Sequence, residues 1–352
     1  PAERYLYRVG LDGTGLARLT PAGEERGTHS YHLSADGKTA VVTSSNADHP
    51  PVTSLVNLPG HDTIATLEDN RELRKKFESL DSSPTEFFSV EIGDGVSLHA
   101  RCLKPPRFDP GRKYPLLVYV YGEPAGQTVT DRWGGNRGLW HRMLAQQGYV
   151  VMSFDNRGTR APRGREWRKA AFRKIGILAP GEQAAAVRTV LRDRPYLDPE
   201  RVGSWGWSGG GSMSLNAIFK YPELYRTAIA IASVPNQRHY DTIYQERYMG
   251  LPGENVEAYR EGSPLNFAHQ LEGNLLLIHG AADDNCHYQT YLKLVDTLIR
   301  HNKRFSMMTY PRGTHSIKEG KNTTRHLFET MTRFLHQHLP PGPPADRHRL
   351  EP

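Results

Sequence analysis

The chain has 352 residues, of which 37% are hydrophobic and 24% are charged, and it carries a formal net charge of +7. This composition is typical of a folded protein with a buried core. No apolar run approaches the length of a membrane-spanning helix, so we expect no membrane span. The two cysteines lie far apart in the sequence, which predicts no disulfide framework. No metal-ligand spacing, phosphate loop or dinucleotide fingerprint occurs, so we expect no metal site and no cofactor.

Basic side chains are densest between residues 157 and 174. Such a run is typical either of a nucleic-acid-binding patch or of a solvated loop beside an active site. The 45 Lys and Arg residues of the chain face 38 Asp and Glu residues, so the overall excess of positive charge is modest. We therefore favour the solvated loop and expect no nucleic-acid partner.

Residues 1–80 are predicted to form an all-β segment. Alternating apolar residues and turn sequences predict strands at residues 5–11, 16–20, 31–34, 39–43, 52–58 and 62–67. The pattern resembles one or two blades of a β-propeller, a fold that closes only with about four blades or more. We therefore expect either the C-terminal part of a longer protein or a shortened relative that covers its sheet edges in another way. The first residue is Pro1 rather than Met, which fits a removed targeting segment or missing upstream sequence.

From residue 81 onward, predicted strands alternate with predicted helices, which favours a mostly parallel sheet with helices on both faces. Eight strands are predicted at residues 87–92, 97–103, 114–121, 149–154, 201–207, 227–232, 274–279 and 305–310. Helices are predicted at residues 138–147, 180–192, 210–221, 288–301 and 323–338. This order is that of an α/β-hydrolase fold, which we assign to residues 81–339. The proline-rich, charged tail at residues 340–352 is predicted to be disordered.

The sequence Gly-Trp-Ser-Gly-Gly at residues 206–210 lies between a predicted strand and a predicted helix. A Gly-x-Ser-x-Gly pattern in this setting predicts a nucleophile elbow, in which Ser208 is exposed on a tight turn. The glycines remove side chains that would collide in the turn, and the helix N-terminus favours negative charge beside the serine. Ser208 is therefore the candidate nucleophile.

A serine hydroxyl needs a base to take its proton, and the base needs a third group to orient it. In α/β-hydrolases the acid and the histidine follow the serine, each on a loop after a strand. Asp283 and Asp284 both follow the predicted strand 274–279, and spacing alone does not choose between them. His315 follows the last predicted strand and is the candidate base.

Four stretches together resemble the prolyl oligopeptidase family, and within it the dipeptidyl peptidase IV branch: residues 206–210, 240–250, 279–285 and 314–315. The stretch Tyr-Asp-Thr-Ile-Tyr-Gln-Glu-Arg-Tyr-Met-Gly at residues 240–250 is the most specific, because it is long and the fold does not require it. The resemblance covers about residues 85–338, and the all-β segment agrees more loosely.

The resemblance implies a role for each catalytic candidate. Ser208 would be the nucleophile, His315 the general base, and Asp283, the first of the two aspartates, the acid that orients the histidine. Tyr121, at the end of the third predicted strand, would donate its hydroxyl to an oxyanion hole whose other donor is the backbone N–H of Gly209. Two such donors stabilise a carbonyl oxygen as it gains charge, each by roughly 3 kcal/mol.

The resemblance also implies a substrate pocket. Tyr240, Tyr244 and Val234 would wall a pocket for a proline ring, Asn285 would contact a substrate carbonyl, and Trp207 is a further substrate-binding candidate. A flat apolar pocket lined by tyrosines suits proline because the rigid ring stacks at little entropic cost. Tyr240 and Tyr244 lie four positions apart, so on a helix they would share one face.

Two departures from the family pattern affect the predicted pocket. Gly209 and Ser212 stand where dipeptidyl peptidase IV typically has tyrosines, which predicts a roomier pocket beside the nucleophile. The family also holds the free amino terminus of its substrate with paired glutamates in the propeller, and this chain lacks the blade that would carry them. The resemblance therefore implies exopeptidase specificity only indirectly.

The sequence thus predicts a serine peptidase that acts on peptide substrates through an acyl-enzyme and releases X-Pro or X-Ala dipeptides. An acylaminoacyl peptidase, a prolyl endopeptidase-like enzyme or an esterase would use the same triad, and non-catalytic members of the family exist. The resemblance also suggests a homodimer and favours a periplasmic or secreted location.

Overall fold

A computed structural model describes residues 2–22 and 26–342. The chain divides into two units. The first unit consists of the residues up to Thr85 together with Val129–Arg142, and the second consists of Glu86–Thr128 together with the residues from Met143 onward. The segment Val129–Arg142 interrupts the α/β pattern in sequence, and the sequence did not predict that it groups with the first unit. The predicted domain limits at residues 80 and 339 remain predictions.

The first unit contains two antiparallel sheets. A short hairpin pairs β1 with β2, and a four-stranded meander follows in the order β3-β4-β5-β6. Its elements are β1 Tyr7–Arg8, β2 Ala17–Arg18, β3 Thr28–Leu33, β4 Thr39–Ser45, β5 Val52–Asn57, β6 Thr63–Glu68 and α1 Arg71–Glu78. Ala40, Val42 and Val56 form its small buried core. One propeller blade also consists of four antiparallel strands. The first unit therefore resembles a propeller loosely, in the number and direction of these strands.

The second unit is built on one eight-stranded sheet with the order β14-β13-β12-β11-β9-β10-β8-β7. Its strands are β7 Glu86–Glu91, β8 Ser97–Leu103, β9 Tyr114–Tyr119, β10 Val150–Asp155, β11 Leu197–Trp207, β12 Thr227–Ile231, β13 Asn274–Gly280 and β14 Ser306–Tyr310. Strand β8 is antiparallel to both neighbours, and the remaining pairs are parallel. Parallel strands end at the same edge of a sheet, so the loops after β11, β13 and β14 meet there.

Helices pack against this sheet through apolar side chains. Ala184 and Val187 of α4 join Leu116 and Val118 of β9 in one buried cluster, and Leu294 of α8 belongs to another. The helices of the second unit are α3 Gly164–Lys169, α4 Leu178–Asp193, α5 Gly209–Lys220, α6 Thr242–Met249, α7 Val256–Glu261, α8 Tyr288–Arg300 and α9 Thr323–His338. Helix α2, Gly135–Gln146, begins in the first unit and ends in the second. The predicted α/β architecture, with the serine after the fifth of eight strands, is confirmed.

Two predicted irregular segments contain more structure than expected. The basic stretch 157–174 includes helix α3, whose Trp167 is buried beneath the guanidinium of Arg163. At the start of the proline-rich tail, the Gly342 N–H donates to the Gly148 carbonyl at 3.1 Å. The rest of the predicted disordered tail, residues 343–352, lies outside the described residues.

Among the residues that the structure describes, none of the helices has the length and apolar character needed to cross a bilayer.

Candidate active site

Ser208 occupies a strained position between β11 and α5. Its backbone has φ 60° and ψ −124°, a left-handed conformation that is uncommon for a residue with a side chain. The Ser208 N–H donates to the carbonyl of Ile231 on the neighbouring strand at 2.8 Å, which helps to hold the turn. Backbone strain of this kind costs about 1–3 kcal/mol and concentrates at functional sites. The geometry is that of a nucleophile elbow.

The glycines around Ser208 are required by close backbone contacts. A Cβ atom on Gly206 would lie 2.3 Å from the backbone of Gly210 and 2.6 Å from the Val120 carbonyl oxygen. A Cβ atom on Gly210 would lie 2.2 Å from that same oxygen. Any larger residue would therefore collide with the backbone of the turn or of Val120, so the motif spacing has a steric cause.

His315 and Asp283 form a direct hydrogen bond, with Nδ1 of the histidine 2.9 Å from Oδ2 of the carboxylate. Asp283 is buried, whereas the adjacent Asp284 is exposed. The structure therefore brings the histidine together with the first aspartate. Because Nδ1 donates to the carboxylate, Nε2 of His315 is left as the proton acceptor.

Asp283 is held in its ionised form by several donors. Its Oδ1 accepts the backbone N–H groups of Asn285 at 3.0 Å and Cys286 at 2.8 Å. His279 Nε2 lies 2.7 Å from the Cys286 carbonyl oxygen and 3.3 Å from Asp283 Oδ2. Burial alone would raise the pKa of Asp283, but the hydrogen bonds from His279, His315 and Cys286 outweigh it and hold the pKa well below its usual range.

Ser208 is connected to this pair through neighbouring residues. Burial raises the pKa of the Cys286 thiol, and an interaction with the Ser208 side chain opposes that rise. The indole N–H of Trp207 donates to the carbonyl of His315 at 2.8 Å. In the described part of the chain no hydrogen bond joins Ser208 to His315 directly. Such bonds are often long in unliganded enzymes and tighten when substrate binds.

Cys286 was not identified from the sequence as part of the centre. Its position three residues after Asp283 was the available signal. Trp207 was predicted to bind substrate, and its indole N–H donates to the backbone carbonyl of His315.

Tyr121 lies just beyond β9, beside the nucleophile turn. A Cβ atom on Gly210 would be 3.2 Å from the Cα atom of Tyr121, and the tyrosine ring packs over Gly126. Burial, followed by the charge of Glu123, raises the pKa of the Tyr121 hydroxyl, so this group stays protonated and available as a donor. The Gly209 N–H lies in the first turn of α5, where backbone donors have no partner within the helix.

Tyr240 and Tyr244 are close together, but they do not share a helix face. Tyr240 is extended, and α6 begins after Asp241, whose carboxylate accepts the Tyr244 N–H at 2.7 Å. The same-face prediction was wrong because Asp241 caps the helix between the two tyrosines. Their rings nevertheless meet edge to face at 5.5 Å, and the Tyr240 hydroxyl donates to Asn285 Oδ1 at 2.9 Å.

The room predicted beside Gly209 and Ser212 is occupied. A Cβ atom on Gly209 would lie 2.8 Å from the carboxyl group of Glu123. Ser212 is fully buried, and its hydroxyl accepts the N–H of Val234 at 2.9 Å. Glu123 was not identified from the sequence, because its contact with Gly209 joins segments far apart along the chain. The prediction of a roomier pocket is therefore wrong at both positions.

The chain is similar in sequence and in structure to several known proteins. The chain is 33% identical over 346 residues to human dipeptidyl peptidase 8, covering 95% of this chain and 38% of that protein. It is 34% identical to the mouse prolyl endopeptidase FAP, covering 82% and 37%, and 33% identical to dipeptidyl-aminopeptidase B of Aspergillus niger, covering 95% and 37%. The crystal structure of Porphyromonas gingivalis dipeptidyl peptidase 4 superposes with a TM-score of 0.89 at 36% identity, covering 96% of this chain and 47% of that one.

The chain spans between 37% and 38% of the length of these three curated relatives. The profile of the prolyl oligopeptidase family matches residues 140–341, which include the elbow, the acid and the histidine. The chain belongs to the prolyl oligopeptidase family.

Proposed function

We propose that residues 81–339 carry a serine peptidase centre in which Ser208 is the nucleophile, His315 the general base and Asp283 the orienting acid. One observation carries this proposal. His315 Nδ1 donates at 2.9 Å to the buried, ionised carboxylate of Asp283, and the loops that carry the two residues lie beside Ser208, whose φ is 60°. Such an arrangement fixes the histidine tautomer, so that Nε2 is free to accept the serine proton.

The proposed reaction proceeds through an acyl-enzyme. Ser208 Oγ attacks the carbonyl carbon while its proton passes to His315 Nε2, and the oxygen that gains charge is stabilised by the Tyr121 hydroxyl and the Gly209 N–H. The C–N bond then breaks as Nε2 returns the proton to the leaving amine. Water enters, loses a proton to the same nitrogen and cleaves the ester, which restores the Ser208 hydroxyl.

For the substrate, we propose peptides with proline or alanine before the scissile bond, released as X-Pro or X-Ala dipeptides. The pocket proposed for that residue is walled by Tyr240, Tyr244 and Val234, with Asn285 in contact with Tyr240. Relatives of similar identity are named as dipeptidyl peptidases and as a prolyl endopeptidase. Prolyl endopeptidase activity is therefore the second candidate, ahead of acylaminoacyl peptidase and esterase activity.

Labelling with a fluorophosphonate tests the centre, because the reagent modifies an activated serine whatever the substrate. We expect labelling of the wild-type chain at Ser208 and none of Ser208→Ala. Comparing Gly-Pro and N-acetyl-Gly-Pro amides then tests the specificity. Rejection of the blocked amide would favour the dipeptidyl activity, and equal turnover would favour the endopeptidase. Light scattering would test the homodimer that the family resemblance suggests.

A further inference from the structure

Glu123 is an acidic side chain inside the proposed active centre that the reaction above does not use. It is 8% exposed, and its Oε2 accepts the Tyr244 hydroxyl at 2.9 Å. Its carboxyl group takes the space that a side chain on Gly209 would need, since a Cβ atom there would lie 2.8 Å from both Cδ and Oε2. Glu123 therefore contacts one wall of the proposed pocket and the residue whose N–H is a proposed oxyanion donor.

No cation compensates this carboxyl group within the described residues. Tyr244 donates its one hydrogen bond there, and no Lys, Arg or His forms an ion pair with it. Burial without a counter-charge favours the neutral acid, and only a strong hydrogen bond opposes that preference. A carboxylic acid in such a place is expected to change its charge near neutral pH.

The titratable groups around Glu123 are the hydroxyls of Tyr121, Tyr240 and Tyr244 and the thiol of Cys286, all of which are influenced by its charge. Burial raises the pKa of Glu123 to about 7 against the opposing hydrogen bond from Tyr244. The phenols and the thiol have raised pKa values, so they stay neutral where Glu123 titrates. Among these five groups, Glu123 is the one that changes its charge near neutral pH.

We propose that Glu123 is a positioning residue of the peptidase: as the neutral acid it holds the Tyr244 ring and fills the space beside Gly209. As the carboxylate it opposes the negative charge that develops on the substrate oxygen at the Gly209 N–H. The Coulomb interaction of two like charges is strong in a water-poor site, so ionisation of Glu123 slows acylation. This inference rests on the proposed function and deepens it.

The pH dependence of fluorophosphonate labelling in Glu123→Gln tests the proposal. The reagent carries no amine, so its own titration does not contribute, unlike that of a dipeptide substrate. For the wild-type chain the labelling rate is expected to fall by more than about fivefold between pH 7 and pH 9, as the remaining neutral Glu123 loses its proton. In Glu123→Gln the rate is expected to stay within about twofold over that range. Glu246→Gln, an exposed site on α6, is the matched control and should keep the wild-type decline.

A double-mutant cycle with Gly209→Ala provides a second measurement. In the wild-type background the added methyl group displaces the Glu123 carboxyl, whereas in Glu123→Ala the space is free, so the loss of labelling rate should be smaller. Equal losses in both backgrounds, or an alkaline decline that persists in Glu123→Gln, would overturn the role of Glu123 and leave the peptidase intact. A wild-type chain that neither labels nor turns over a proline amide would overturn the proposed function, and this inference with it.

Discussion

The stability of Glu123→Gln relative to the wild type is expected to be greater at pH 8 than at pH 5. Folding raises the pKa of this buried carboxyl from 4.5 to about 7, so the folded state binds its proton more tightly than the unfolded state does. The free energy of unfolding of the wild-type chain therefore falls as pH rises from 4.5 through 7 and then levels off. Each unit of pKa shift corresponds to about 1.4 kcal/mol, so the total change is about 3 kcal/mol.

Glutamine does not titrate, and its side-chain carbonyl still accepts the Tyr244 hydroxyl. The advantage of Glu123→Gln over the wild type should therefore grow by about 2.5 kcal/mol between pH 5 and pH 8. In melting temperature this is roughly 5–10 °C for a unit of this size. Thermal unfolding followed by circular dichroism at both pH values measures it, with Glu246→Gln as the control. A difference between variant and wild type that is the same at pH 5 and pH 8 would refute the reasoning.

Three further predictions concern the proposed catalytic groups and the pocket. Ser208→Ala is expected to lower kcat/KM for a proline p-nitroanilide by more than about a thousandfold, with an unchanged circular dichroism spectrum; substantial residual turnover would contradict the assignment. Asp283→Asn should lower kcat by about 10⁴-fold, because the histidine adopts the wrong tautomer. Asp284→Asn, at an exposed position, should lower kcat far less. The reverse ranking would show that Asp284 is the acid. Tyr244→Ala should cost roughly 1–3 kcal/mol in transition-state binding, and kcat/KM should fall more for a proline than for an alanine substrate; equal losses would place Tyr244 outside the pocket.

The sequence was sufficient wherever function depends on order along the chain. Eight strands, a serine after the fifth and a histidine after the last could be predicted because each element is a local pattern of apolar residues and turns. The two neighbouring aspartates marked the limit of this reasoning. Their spacing is equivalent, and the choice depends on which carboxylate the loop folds inward to meet the N–H groups of Asn285 and Cys286.

The burial of Glu123 was not predicted from the sequence and Tyr240 was wrongly placed on a helix, for two different reasons. Glu123 is buried because Gly209 leaves space for it, and that contact joins distant parts of the chain that no local pattern connects. Tyr240 was placed on a helix by its spacing from Tyr244, although Asp241 between them was a recognisable N-cap residue. The first error required the tertiary structure to correct it, and the second could have been avoided from the sequence.

The hydrogen bond from the Trp207 indole to the His315 carbonyl joins two parts of the centre that lie 108 positions apart in the chain. The acceptor is a backbone atom, so exchanging the side chain at position 315 leaves the link intact. Trp207→Phe, in contrast, keeps an aromatic ring and removes the donor. The alignment of the histidine loop with the elbow can therefore be varied separately from the chemistry of the imidazole. A substitution at position 207 changes the position of the base and leaves the His315 side chain itself unchanged.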